Sequence, residues 1–257
     1  YDKSGDDYRP EEQLETNSCG LHVHVSNKHM LGNSRLGKYL FWNLCRNWYF
    51  FEPILNSIII SGGAVIVSLI IGIPAGYILA RSNFKFKEDI GFFILGFRFA
   101  PLILVIIPMF YFFTKLGIKD TYFGMIWVYQ VITLPMIIWL TRVYVEDIPI
   151  ELEEAAFVDG ASVLHVIYKI ILPLLRPGLV GASLLVFLLA WHNFALGLLL
   201  ASKKAPVTVA LLKLLNPGIN FYPVMACGLV ISMIVPILLI FLGQKHFVKG
   251  LTFGAVK

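Results

Sequence analysis

The sequence predicts an all-α fold: a polytopic helical membrane protein with five transmembrane helices and one polar, helical excursion between the third and fourth. Two observations carry this. Only 14% of the 257 residues are charged and 58% are hydrophobic, where a soluble chain is about one quarter charged. The apolar residues also fall in continuous runs of twenty or more, the length a hydrocarbon core of about 30 Å requires. Mean hydropathy is +0.76. The net charge of +5 contains no basic block of five or more residues, so it points to loop orientation and a lipid environment and excludes nucleic acid as a partner. Three cysteines, Cys19, Cys45 and Cys227, lie far apart and give neither a disulfide framework nor a zinc-site spacing.

Residues 1–38 differ from the rest. They carry Asp2, Asp6, Asp7, Glu11, Glu12 and Glu15 and have no apolar signal region, which reads as a soluble segment, foreign to the remainder or disordered. Residues 39–53 are aromatic and interrupted by Arg46; they are too short to span and suit an interfacial helix. The membrane domain then occupies 54–257. Its first span, Ile54 to Ala80, has no ionisable side chain and carries Gly62, Gly63, Gly72 and Gly76, small residues that allow close helix packing. The second runs from Ile90 to Phe113 with Arg98 inside it, and the third from Tyr122 to Val143 around Pro135. The fourth is expected over Leu174 to Ala201 and the fifth over Pro223 to Phe241.

Lys and Arg in the short flanking loops divide nine to five. The richer side holds Arg81, Lys85, Lys87, Arg142, Lys169, Arg176 and the tail lysines. By the positive-inside rule that side is cytoplasmic. The polar stretch 146–173 and the carboxy terminus are then cytoplasmic. Five spans leave the amino terminus outside, as though a first span were missing or Tyr39 to Phe51 were a degraded remnant of one.

Within 146–173, Pro149 can start a helix, Glu151, Glu153 and Glu154 fall in its first turns where the macrodipole favours them, and Ala155 and Ala156 propagate it. Gly160 should break it with a positive φ, and Ser162 can cap a second helix with an apolar stripe that reaches Pro173. The expected product is a helix-turn-helix bracket under the bilayer, small at Ala155 and Ala156 so that a partner can approach, with an acidic rim.

At these residues the chain resembles a family, the membrane-spanning subunits of bacterial binding-protein-dependent ABC importers. The family's signature of EAA, three residues, G, nine residues and I-x-L-P is matched at all seven positions: Glu154, Ala155, Ala156, Gly160, Ile170, Leu172 and Pro173. Further matches resemble the carbohydrate-uptake, maltose-type branch. They include 97–101 with Ile107-Pro108, Leu116-Gly117, Asp120-Thr121, Leu134-Pro135, Ile148-Pro149, Asp159-Gly160-Ala161, Ala190-Trp191 and Asn193-Phe194. The likeness extends over about Trp48 to Lys257.

The resemblance implies the ABC importer permease fold, with the bracket as a coupling helix that docks in a cleft of a cytoplasmic ATPase. In that reading Glu154, Ala155, Ala156, Asp159, Gly160, Ile170, Leu172 and Pro173 couple ATP hydrolysis to transport. Asp159 either pairs with the ATPase or caps its own turn. The chain has no GxxxxGK[ST] loop, so the phosphate cradle is expected on another polypeptide. The resemblance implies a transport subunit with no catalytic site or cofactor of its own, and ATP with Mg on the partner ATPase. Implied partners are a second homologous permease subunit, two ATPase subunits and an extracytoplasmic solute-binding protein. Arg98, Trp191, His192 and Asn193 are candidates for the solute path, since polar groups inside spans mark transport routes and Trp can stack on a sugar. Where the family pattern has an acidic residue after Asn193 or an Asn before it, this chain has Phe194 and His192.

Two alternatives stand beside this reading. Cys19-Gly20-Leu21-His22-Val23-His24-Val25 resembles a short motif of glutamine-synthetase-like amidoligases, with His22 and His24 a possible metal pair. That likeness covers under ten residues and no carboxylate-rich sheet follows, which disfavours a metal site. An ion-coupled secondary transporter would carry intramembrane carboxylates or inverted repeats, and the spans show neither.

Overall fold

The computed structural model describes residues 50–97, 102–213, 215–216, 219–220 and 222–252. The segment 1–38, most of the expected interfacial helix, His22, His24 and Arg98 lie outside the described residues. The elements in order are α1 (Phe51–Arg81), α2 (Lys87–Gly96), α3 (Leu102–Lys115), α4 (Tyr122–Glu146) and α5 (Glu151–Val158). They continue with α6 (Val163–Trp191), α7 (Ala195–Leu200), α8 (Val207–Leu212) and α9 (Tyr222–Thr252). A two-residue antiparallel pairing of Leu215–Asn216 with Ile219–Asn220 precedes α9.

Among the described residues α1, α4 and α6 are each long and apolar enough to cross a membrane. At about 1.5 Å per residue, the 31 residues of α1 reach about 46 Å. It begins at Phe51, so Phe51 to Pro53 belong to the span rather than to an interfacial helix. The second expected span corresponds to α2 and α3, which flank the undescribed residues 98–101, and the fifth to α9.

The fourth span differs from expectation. The apolar run predicts Leu174 to Ala201, but α6 starts at Val163, runs through a π-helical stretch at Val166–Ile171, and stops at Trp191. Pro173 therefore does not separate the bracket from the span. A proline lacks the N–H and crowds the carbonyl one turn back, and the wider π turn just before it absorbs that misfit within one continuous helix. The stop at Trp191 comes from Asn193, whose Oδ1 accepts the Leu196 N–H at 3.0 Å and starts α7.

The core forms where α1 lies along α4 and α6 packs on both, with α9 against the far side of α6. Three of the four span-one glycines serve that contact. A Cβ at Gly63 would collide with Ile126, at Gly72 with Ile137, and at Gly76 with Thr141 and the Ile138 carbonyl; Gly62 faces open space. Several polar side chains in the same seam pair with one another, although the buried Thr141 hydroxyl has no partner among the described residues. Ser68 Oγ lies 2.7 Å from Gln130 Oε1 and from Thr133 Oγ1, and Gln130 Nε2 donates to the carbonyls of Ala64 and Ile126. Outward residues such as Ile66 and Ile70 remain about 60% exposed, as expected of a lipid-facing surface.

Candidate functional site

The bracket is α5, the turn 159–162 and the first turns of α6. Glu151, Glu153 and Glu154 do occupy the first turn of α5, and the helix starts two residues after Pro149. Gly160 has φ +83°, the left-handed conformation that the sequence requires of it. A Cβ there would meet nothing within 4 Å, so its constraint is one of backbone conformation and not of space. Ser162 caps α6, its hydroxyl accepting the His165 N–H at 3.3 Å.

The bracket has an outer and an inner face. Outward stand Glu151, Glu154, Ala155, Phe157, Val158, Asp159 and Gly160, with Val158 88% exposed and Leu164 across the turn 63% exposed. An apolar tip between carboxylates suits a protein partner better than water. Inward, Ala156, Ala161, Ile170 and Leu172 pack against a cluster of Ile73, Tyr77, Val145, Val166, Ile167 and Ile171. The two motif alanines thus divide. Ala155 faces out, while Ala156 is small because α5 lies close to its own spans. Ile170 and Leu172 likewise hold the bracket to the bundle, and Pro173 is exposed.

Glu153 departs from the acidic rim on which the sequence places it. Its side chain is only 3% exposed. One carboxylate oxygen accepts the Tyr77 hydroxyl at 2.7 Å and the other the Arg81 Nε at 2.7 Å. Arg81 Nη2 also donates to the Ile148 carbonyl at 2.6 Å, in the link between α4 and α5. Sequence reasoning missed this clamp. The one signal available was that Tyr77 and Arg81 stand four residues apart on one face of α1. Arg142, counted as a loop charge, is instead buried in the last turns of α4, bridging Glu146 and Glu88 of α2.

At the opposite end of α4, Asp120 adopts φ +61°. Its carboxylate accepts the backbone N–H groups of Ser202, Lys203 and Lys204 at 2.7 to 3.0 Å, tying the α3–α4 turn to the loop after α7. Burial pushes the Asp120 carboxyl up, but the N–H donors of Lys203, Lys204 and Ser202 and the Lys203 charge outweigh it and hold it below the usual carboxylate range.

The three described solute-path candidates, Trp191, His192 and Asn193, do not converge on one surface. Trp191 is buried, stacked on Phe187 at 5.6 Å and packed with Phe50, Val207 and Leu211. His192 is exposed, and Asn193 is half-buried with its backbone carbonyl 3.3 Å from the Tyr129 hydroxyl. Among the described residues no cluster of His, Cys, Asp or Glu is arranged to hold a metal ion.

A long-helix bundle that carries an exposed helical bracket defines a class, and comparison with known proteins identifies it. Residues 72–253 match the family described as binding-protein-dependent transport system inner membrane component. The chain belongs to this family and is a multi-pass membrane permease subunit of an ABC importer, working with the other subunits of such a system. It is 37% identical over 206 residues to the trehalose/maltose transport system permease protein MalG of Thermococcus litoralis, covering 79% of this chain and 74% of that one. It is 34% identical to the trehalose transport system permease protein SugB of Mycobacterium tuberculosis, covering 81% and 77%. Among solved structures, a bacterial ABC transporter that imports the acidic polysaccharide alginate matches with a TM-score of 0.67 at 26% identity, covering 81% of this chain and 79% of that one. The amidoligase-like stretch lies ahead of the matched residues.

Proposed function

We propose that this chain is one of two related permease subunits of a sugar importer, and that its bracket docks on a cytoplasmic ATPase that carries ATP and Mg. The observation that supports this most is the outer face of the bracket. There an apolar tip at Val158 and Leu164 is framed by Glu154 and Asp159 and turned by Gly160 at positive φ, on a body fixed to three spans. Asp159 is exposed at the C-terminal end of α5, which favours pairing with the ATPase. The bracket and the carboxy terminus face the cytoplasm in this reading, and the Asp120 clamp faces the extracytoplasmic binding protein. Sugar is the substrate class because relatives across three sources are named for trehalose, maltose or arabinooligosaccharides. Of the described path candidates, His192 is the exposed one and stands beside the solute route, while Trp191 and Asn193 hold that helix end in place.

The test uses the complete transporter in proteoliposomes with labelled trehalose and maltose as probes. Gly160→Val forces a β-branched residue into a left-handed conformation. Import per ATP hydrolysed should fall at least tenfold while ATP hydrolysis persists. An unchanged ratio would remove the coupling role, and failure of the unmodified transporter to import either trehalose or maltose would remove the assignment to these two sugars.

A further inference from the structure

The bracket is covalently joined only to α4 and α6, yet its one buried carboxylate reaches a third helix. Glu153 sits between the exposed Glu151 and Glu154 on α5, and its two oxygens take separate donors, Tyr77 and Arg81, from the last turns of α1. The same guanidinium holds the Ile148 carbonyl. Tyr77 is buried and the Arg81 side chain is 16% exposed.

Taking a carboxylate out of water costs several kcal/mol, and apolar replacements of buried ion pairs are often neutral or stabilising. Bulk stability is therefore a poor reason for this arrangement. What it supplies is directional geometry. Apolar contacts of the kind Ala156 and Ile148 make with the Tyr77 cluster permit sliding, whereas two oxygens bound to two fixed donors permit neither sliding nor rotation of α5 on α1.

We infer that Glu153 is a positioning residue for transport, which locks α5 to the end of α1 through Tyr77 and Arg81 so that α1 moves with the bracket. The inference rests on the coupling role proposed for the bracket. It extends that role from the two helices adjoining the bracket in sequence to the one that is not.

The test compares the complete transporter, with its ATPase and binding-protein subunits in nanodiscs, before and after trapping with ATP and vanadate. Hydrogen exchange is followed in segments 151–158 and 77–87. In the unmodified complex, trapping should change exchange in both segments. In Tyr77→Phe/Arg81→Met/Glu153→Met, which removes the clamp without leaving a lone buried charge, the response at 151–158 should persist and that at 77–87 should fall at least threefold. An undiminished response at 77–87 in this variant overturns the inference, as does an unmodified complex that responds only at 151–158. No response at 151–158 in the unmodified complex would instead sink the coupling role itself. Should the triple variant not assemble, Tyr77→Phe alone removes one hydrogen bond and no charge. It should reduce the 77–87 response about twofold, and an equal response contradicts the clamp.

Discussion

Glu153 and Asp120 are both carboxylates that pin distant parts of the chain, at opposite ends of α4, and they do so by different chemistry. Glu153 is buried and takes side-chain donors from α1. Asp120 is partly exposed and takes main-chain donors from a loop some eighty residues on. Side-chain donors on a long helix transmit a push along a rigid rod, whereas backbone donors in a loop fix that loop's shape. On the positioning role inferred for Glu153, the bracket would move together with α1, while the Asp120 bonds hold one loop in a fixed shape.

The difference predicts unequal costs. Arg81→Met leaves the Glu153 carboxylate buried without its cation and should lower stability by about 3 kcal/mol, read by thermal unfolding of the purified chain. Restoration when Glu153→Met is added would show that the unpaired charge carries the loss, while a double variant as unstable as the single one would show that packing does. Asp120→Ala should cost less, about 1 kcal/mol, because water can replace the acceptor at three partly exposed N–H groups. Its pH dependence has a definite sign. The folded Asp120 carboxyl is held below its ordinary value. The stability it contributes is therefore present above the unfolded carboxyl's range and is lost as pH falls through the folded value. Acid unfolding profiles of the unmodified chain and of Asp120→Asn should diverge in that window; parallel profiles would contradict a charged clamp.

Much of the bracket was legible from sequence because its constraints are local. Gly160 must take a positive φ whatever surrounds it, and Ser162 caps the helix that follows it directly. The apolar runs likewise marked α1 and α4 to within a few residues. What escaped depended on rotation and distance. Which of three neighbouring glutamates turns inward is set by how α5 rolls against α1, and no spacing within 151–154 encodes that. Asp120 gave no sign of its role because its donors arrive from Ser202 to Lys204. Pro173 misled about where α6 begins, since its cost is absorbed by a π turn that depends on the packing of Val166, Ile167 and Ile171. Trp191 carried the features of a sugar-stacking residue, and its burial follows from Phe50, Val207 and Leu211, remote in the chain.

If the outer face of the bracket meets an ATPase, as proposed, Val158, 88% exposed at its tip, is the residue to ask. A photo-reactive benzoylphenylalanine at position 158 should, on irradiation of the assembled transporter, join this chain to the ATPase subunit in a single adduct of their summed mass. The same probe in place of Phe112, exposed on α3, should not. No ATPase adduct from position 158 in a complex that still hydrolyses ATP, or equal adducts from both positions, would contradict the account.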